Sequence, residues 1–261
     1  MKRVTIGLLG LGNIGGGVWD LLRTFRGELA QRTGIDVEVK KALVLDKAIH
    51  GGHEVPEDVL TTDAEEILGD PEISIVCEFL GGEQPAAGMM LQALRSGKSV
   101  VTANKMALAL HWDELRAAAK ETGAGLYYEA SVCGTIPIIN AIQTPLISNH
   151  VEEIMGIING TTNYILSRMT AEGESYEAVL ADAQRLGLAE PNPTADVEGF
   201  DAAYKLSILA SLAFHSRVYV EDIYREGITQ VTAEDIACGK EMGYVLKLLA
   251  IGKERDGRIE A

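Results

Sequence analysis

The chain has 261 residues, 47% of them apolar and only 5% aromatic, enough to bury two ordinary cores. Its 38 acidic against 23 basic side chains leave a formal charge of -15, which argues against polynucleotides and anionic membrane surfaces as partners. Three scattered cysteines without a CxxC pair, Cys77, Cys133 and Cys238, indicate neither a disulfide framework nor a zinc site, and they fit a reducing cytoplasm.

Met1-Lys2-Arg3 leads into an apolar stretch too short for a signal sequence, and the nearest approach to a membrane span, 206–214, falls well short of about 20 residues. A soluble protein is expected. Residues 4–10 read as a buried strand and 18–31 as an amphipathic helix carrying Trp19, Leu22, Phe25 and Leu29 at helical spacing. Between them Gly10, Gly12 and Gly15 match GxGxxG in the strand-to-helix context that gives this pattern meaning. Gly10 permits the tight turn, Gly12 lets backbone approach a pyrophosphate, and Gly15 lets helix and sheet pack closely. A plain glycine-rich turn would look similar, but the flanking elements favour dinucleotide binding.

A second strand is expected over 37–45, followed by Leu45-Asp46-Lys47. An acid here suits the ribose hydroxyl of NAD, and a base suits the extra phosphate of NADP; Asp46 serves equally well as a turn residue, so the preference stays open. Thr62 and Glu65 form a capping-box pattern ahead of a short helix. Strands over 73–80, 99–102 and about 126–130 alternate with helices over 86–95 and 108–122, which predicts an α/β fold, a Rossmann-type doubly wound parallel sheet. Lys105 follows the fourth of these strands, at the sheet edge where ligands collect. A merely solvated lysine at a helix start would oppose the helix dipole, which favours a functional role.

The rhythm changes near residue 130, so domains are expected at 1–130 and 131–261, the second a mixed α+β domain for substrate binding and dimerisation. It should hold a strand at 153–158, helices at 162–171, 176–186 and 198–214, another helix starting at Thr232 to Asp235, and a strand at 243–253 followed by almost nothing. Gly187 has the placing of a left-handed helix cap. Beyond it, Glu190 and Asp196 lie in a loop broken by Pro191 and Pro193, and Asp201 and Lys205 stand four residues apart on one helix face. Taken alone, that last pair reads as an ordinary salt bridge worth about 0.3–0.5 kcal/mol. Two further acids and an upstream dinucleotide motif turn the reading toward a redox site.

GLGNIGGG at 10–17, VTANKMALA at 101–109, EASVCGTIPII at 129–139, INGTTNYIL at 158–166 and LGLAEPNPTADVEGFDAAYKL at 186–206 together resemble the N-terminal catalytic portion of a homoserine dehydrogenase. The resemblance implies reversible reduction of L-aspartate 4-semialdehyde to L-homoserine by NADPH or NADH, towards threonine and methionine. It implies Lys205 as proton donor, Asp201 orienting it and touching substrate, and Glu190 and Asp196 near the substrate ammonium. Lys105 would lie beside nicotinamide and substrate, and Gly10, Gly12, Asn13, Ile14, Gly15 and Gly187 would contact the cofactor. Glu129, Val132, Gly134 and Ile136 match a monovalent, Na-like cation site built mostly of carbonyls; its bland alternative is a hydrated connection. A homodimer is expected.

Three features depart from the family pattern. Cys133-Gly134-Thr135 stands where a glycine-rich run is usual, an arginine common near Leu45 is absent, and family chains continue past Ala261, so the sequence reads as a fragment that stops mid-domain. Two other functions compete. Cys133 could act as the nucleophile of a cysteine-dependent aldehyde dehydrogenase, but none of His50, His53, His111, His150 and His215 lies in a motif that supplies its base. The chain could also be a nicotinamide-binding sensor without catalysis.

Overall fold

The computed structural model describes residues 1–48 and 52–261, which form two compact units, Met1–Ile136 and Pro137–Ala261. His50, one of the histidines considered as a base, lies outside the described residues.

The first unit is a six-stranded parallel sheet in the order β3-β2-β1-β4-β5-β6. Its strands are β1 (Lys2–Leu9), β2 (Ile35–Leu43), β3 (Leu60–Thr61), β4 (Ile75–Glu78), β5 (Ser99–Thr102) and β6 (Leu126–Tyr127). The central strands bury both faces, as parallel sheets covered by helices must, with Leu8, Leu9, Val76 and Val100 wholly inaccessible. Helices α1 (Asn13–Thr33), α2 (Glu65–Leu68), α3 (Ala86–Arg95), α4 (Lys105–Leu110) and α5 (Trp112–Thr122) complete the unit. Strand order reverses between β1 and β4, so the crevice of a doubly wound sheet opens at their carboxyl ends, where Leu9 pairs with Glu78.

Three local expectations change. The helix after the glycine loop begins at Asn13, five residues ahead of the apolar periodicity, because the glycines themselves form its first turn. No side chain caps α2 as a Thr62–Glu65 box would; Asp63 accepts from the Glu65 amide and Thr61 from the Asp63 amide, so a turn replaces the box. The helix expected at 108–122 is two helices, α4 capped by the side chain of Asn104 and α5 starting at Trp112.

The second unit contains α6 (Ile138–Gln143), β7 (Glu153–Gly156), α7 (Gly160–Glu172), α8 (Tyr176–Arg185), α9 (Thr194–Val197), α10 (Phe200–Ala213), α11 (Ala233–Glu241), β8 (Ala250–Arg255) and β9 (Arg258–Glu260). The strands form an antiparallel sheet in the order β7-β8-β9. β8 starts at Ala250, later than the expected 243, and it does not end the sheet: Asp256 and Gly257 take positive φ and turn the chain back into β9. α11 carries the expected capping box between Thr232 and Asp235.

Helix α10 is the spine of this unit. It is buried almost all round, with Ala203, Leu206 and Ala210 against Val218, Ile223 and Ala250. α7 and α8 form a second core through Ile165, Leu166, Met169, Val179 and Ala183. Among the described residues no helix is long and apolar enough to cross a membrane.

Candidate active site

The glycine loop of the first unit is held by what cannot be added to it. Gly10 has φ +99, and a Cβ there would stand 3.0 Å from the Phe79 carbonyl oxygen, on the neighbouring β4 side of the crevice. A Cβ on Gly15 would overlap the Gly10 carbonyl oxygen, and one on Gly16 would overlap the ring of His53, which Asp20 holds at 2.7 Å. A Cβ on Gly12, by contrast, would meet nothing. Gly12, Asn13 and Ile14 are exposed, no side chain caps α1, and its first turn contains no acid. Unspent N–H groups at a helix start facing open space suit the two negative phosphates of a dinucleotide, so the residues present fit that group. Beyond β2, Asp46 accepts a hydrogen bond from the Ala48 amide at 2.9 Å, the turn role considered for it, and Lys47 beside it is exposed.

At the carboxyl ends of β4 and β5 lies a polar cluster that the motifs did not reveal. Glu78 is wholly buried; it accepts from the Thr102 hydroxyl at 2.6 Å, the Leu80 amide at 2.8 Å and the Asn104 side-chain amide at 3.3 Å. Asn104 also donates to the Gly82 carbonyl at 2.7 Å and accepts from the Ala107 amide at 3.0 Å, capping the helix whose first residue is Lys105. An acid closing the apolar strand Ile75–Glu78 was the available signal.

The segment expected to bind a cation runs from a 3-10 turn at Glu129–Ser131 through Val132, wholly buried, to exposed Gly134 and Ile136. Cys133 and Gly134 both have φ 57, and the Ile136 amide donates to the Cys133 carbonyl at 3.1 Å. Of the histidines considered as a base for Cys133, His53, His111 and His150 face Asp20, Glu83 and Glu254. Cys77 is buried, which pushes its thiol up to about 12 and disfavours the thiolate.

In the second unit α10 presents Lys205 to two oxygens. Its ammonium donates to Asp201 Oδ2 at 2.6 Å and to the Ile158 carbonyl at 2.9 Å, with 17% of the lysine side chain exposed and 4% of the aspartate. Asn159, 5% exposed, joins this pair to Asp196, which sits on the short helix α9 and not in the loop expected for it: the Asn159 amide donates to Asp201 Oδ2 at 2.8 Å and to Asp196 Oδ1 at 2.7 Å. The same side chain caps α7 by accepting from the Thr162 amide at 2.8 Å. Asp196, Asn159, Asp201 and Lys205 are therefore one hydrogen-bonded chain. Asn159 belonged to a recognised motif, yet its bridging role went unread.

Glu190 lies outside that chain. It is exposed, and among the described residues its carboxylate has no partner; its backbone carbonyl accepts from the Gln184 side chain at 3.1 Å. The loop bearing it is well anchored all the same. Gly187 takes φ +72, its amide bonds the Gln184 carbonyl and the Leu188 amide bonds that of Ala183, the paired hydrogen bonds of a Schellman cap.

A lysine held on two oxygens has a third N–H to offer, and a solvated carboxylate nearby in sequence can receive an ammonium. Comparison with known proteins finds relatives of the whole chain. A family model described as the NAD binding domain of homoserine dehydrogenase matches residues 10–129, and one described as homoserine dehydrogenase matches 137–260. Homoserine dehydrogenase of Bacillus subtilis is 44% identical over 260 residues, all of this chain and 60% of that protein. A crystal structure of a homoserine dehydrogenase from Thiobacillus denitrificans has a TM-score of 0.93 at 44% identity, matching 99% of this chain and 60% of that one. A chain from Archaeoglobus fulgidus described as a homoserine dehydrogenase has a TM-score of 0.85 at 31% identity, matching 98% of this chain and 82% of that one. The chain thus spans about 60% of the length of the first two.

Proposed function

This chain belongs to the homoserine dehydrogenase family, and from that premise we propose that it catalyses the reversible reduction of L-aspartate 4-semialdehyde to L-homoserine in the cytoplasm, using NADPH or NADH. The observation that carries the proposal is the pairing of Lys205 with Asp201 and the Ile158 carbonyl. Two of its N–H groups are held, which fixes where the third points. As the aldehyde becomes an alkoxide, negative charge develops on oxygen, and a directed ammonium both stabilises that charge and donates the proton that yields the alcohol. A bound reduced nicotinamide supplies the hydride.

Asp201 orients Lys205, and Asn159 keeps the Asp201 carboxylate in place while tying it to Asp196. Glu190 would accept a hydrogen bond from the substrate ammonium, with Asp196 nearby, a charge-assisted contact suited to carboxylates. Gly10, Gly12, Asn13, Ile14 and Gly15 would hold the pyrophosphate at the start of α1, Gly187 would touch the cofactor through its backbone, and Lys105 would serve beside nicotinamide and substrate. Glu129, Val132, Gly134 and Ile136 would hold a monovalent cation such as Na+, mostly through backbone carbonyls and in a structural role. The working enzyme is a homodimer.

The deciding experiment is spectrophotometry of NAD(P)H consumption with L-aspartate 4-semialdehyde. Lys205→Ala should lose about 10²–10⁴-fold in turnover while still binding cofactor, the usual worth of a positioned acid. Unchanged turnover removes the assignment; cofactor binding with no consumption by the unaltered protein points to a sensor instead.

A further inference from the structure

We propose that Glu78 is a positioning residue for Lys105, acting through Thr102 and Asn104. The inference rests on the role given to Lys105 above. Glu78 and Thr102 are register partners at the last positions of adjacent strands, both wholly buried, whereas β1 and β2 end on the buried aliphatic Leu9 and Leu43. A carboxylate there loses its hydration, which costs several kcal/mol unless hydrogen bonds replace it. An apolar pair would join the strand ends equally well. What such a pair lacks is the capacity to take three donors at once: the Thr102 hydroxyl, the Leu80 amide and the Asn104 side chain.

Those three donors belong to the two turns that leave β4 and β5. Thr102 passes the constraint on, since its Oγ1 also accepts from the Asn104 backbone amide at 2.9 Å. Asn104 is then gripped at backbone and side chain, with its remaining donor spent on Gly82 in the turn after β4, where Gly81 and Gly82 both take positive φ. Its oxygen starts α4, fixing the backbone from which Lys105 projects. One buried carboxylate thereby sets the loop after β4 and the lysine turn after β5 as a unit, and the cost of burying it is offset by that precision.

The test is a double-mutant cycle in the full protein with amide exchange measured on its cofactor-free form. Glu78→Gln keeps an acceptor for Leu80 and Asn104 but turns an amide group towards Thr102, so it should melt close to the parent. It should speed exchange at the Asn104 and Ala107 amides and lower kcat/KM about 10- to 100-fold, as small misplacements of a reacting group do. In a Lys105→Ala background the same substitution should add less than about twofold, because residues acting as one unit are not additive. Additive losses, or unchanged exchange, overturn the proposal. Should Glu78→Gln not fold, Thr102→Val carries the same cycle, and Thr102→Ser must restore parent exchange and turnover; failure of that rescue also overturns it. If Lys105→Ala alone leaves turnover intact, the role of Lys105 fails, and faster exchange in Glu78→Gln would still distinguish that failure from one in the Glu78 relay.

Discussion

On the proposed function, the two units prepare for a charged ligand in opposite ways. In the first, the loop at Gly10–Gly15 works by omission: side chains are missing where they would collide with Phe79 or with the loop itself, and the backbone N–H groups at the start of α1 carry no cap. In the second, Asp196, Asn159, Asp201 and Lys205 work by prior pairing, each side chain hydrogen-bonded to another of the set. A pyrophosphate carries its own charge and needs only donors and room. A proton donor must be aimed, and aim requires partners.

If that contrast is right, removing a partner in the second unit should cost more than adding an atom in the first. Asn159→Ala deletes a helix cap and leaves Asp196 and the buried Asp201 short of a donor, so a loss of about 2–4 kcal/mol in stability is expected by chemical denaturation, with turnover falling as well. Asn159→Asp separates the two jobs. It keeps the cap for Thr162 but sets a third carboxylate against two others, so turnover should fall although α7 stays capped. A variant with parent stability and turnover would break the idea of prior pairing.

The first unit gives a smaller and more selective response. Gly15→Ala forces a methyl group onto the Gly10 carbonyl and should cost about 1–3 kcal/mol, the usual range for overpacking, together with cofactor affinity. Gly12→Ala meets no protein atom, so its stability should stay within about 0.5 kcal/mol, as for an ordinary surface change, while cofactor affinity measured by fluorescence titration falls. Equal affinity for Gly12→Ala and parent would mean that the open space over Gly12 is not where the pyrophosphate lies.

The same contrast governs what sequence could reveal. Omission is local: three glycines at fixed spacing between a strand and a helix announce themselves, and so does Gly187 at a helix end. Pairing is distant. Asn159 meets Asp196 and Asp201 across 37 and 42 residues, and along the chain it looks like nothing more than a good helix cap. Glu78 meets Thr102 only because β4 and β5 adopt one register, which no spacing rule encodes. Lys205 was legible because its partner Asp201 sits one helical turn away. The departures in the elements are local instead: Asp63 takes the place of Thr62 at the start of α2, and Asp256-Gly257, a hairpin signal, turns β8 into the three-residue β9.

The smallest effect expected is a difference in acid sensitivity. In the first unit Arg26 holds the Asp36 carboxyl below its ordinary range by a hydrogen bond, Lys41 does so for Glu66, and Lys40 for Asp70. In the second unit Asp235 is lowered by the Thr232 side chain of its capping box. A carboxyl whose folded value lies below its unfolded one contributes stability above the ordinary carboxylate range, about pH 4, and loses it as pH falls through the lower folded value. Three lysine or arginine pairs against one neutral cap should make the first unit the more acid-sensitive, by a small margin because the pairs are exposed. Both tryptophans, Trp19 and Trp112, lie in that unit, so their fluorescence reports it alone while circular dichroism reports the whole chain. On acidification below about pH 4 the fluorescence change should come first, and added salt should narrow the gap by screening the pairs. Dichroism leading fluorescence would mean that the second unit, for all its internal pairing, is the weaker in acid.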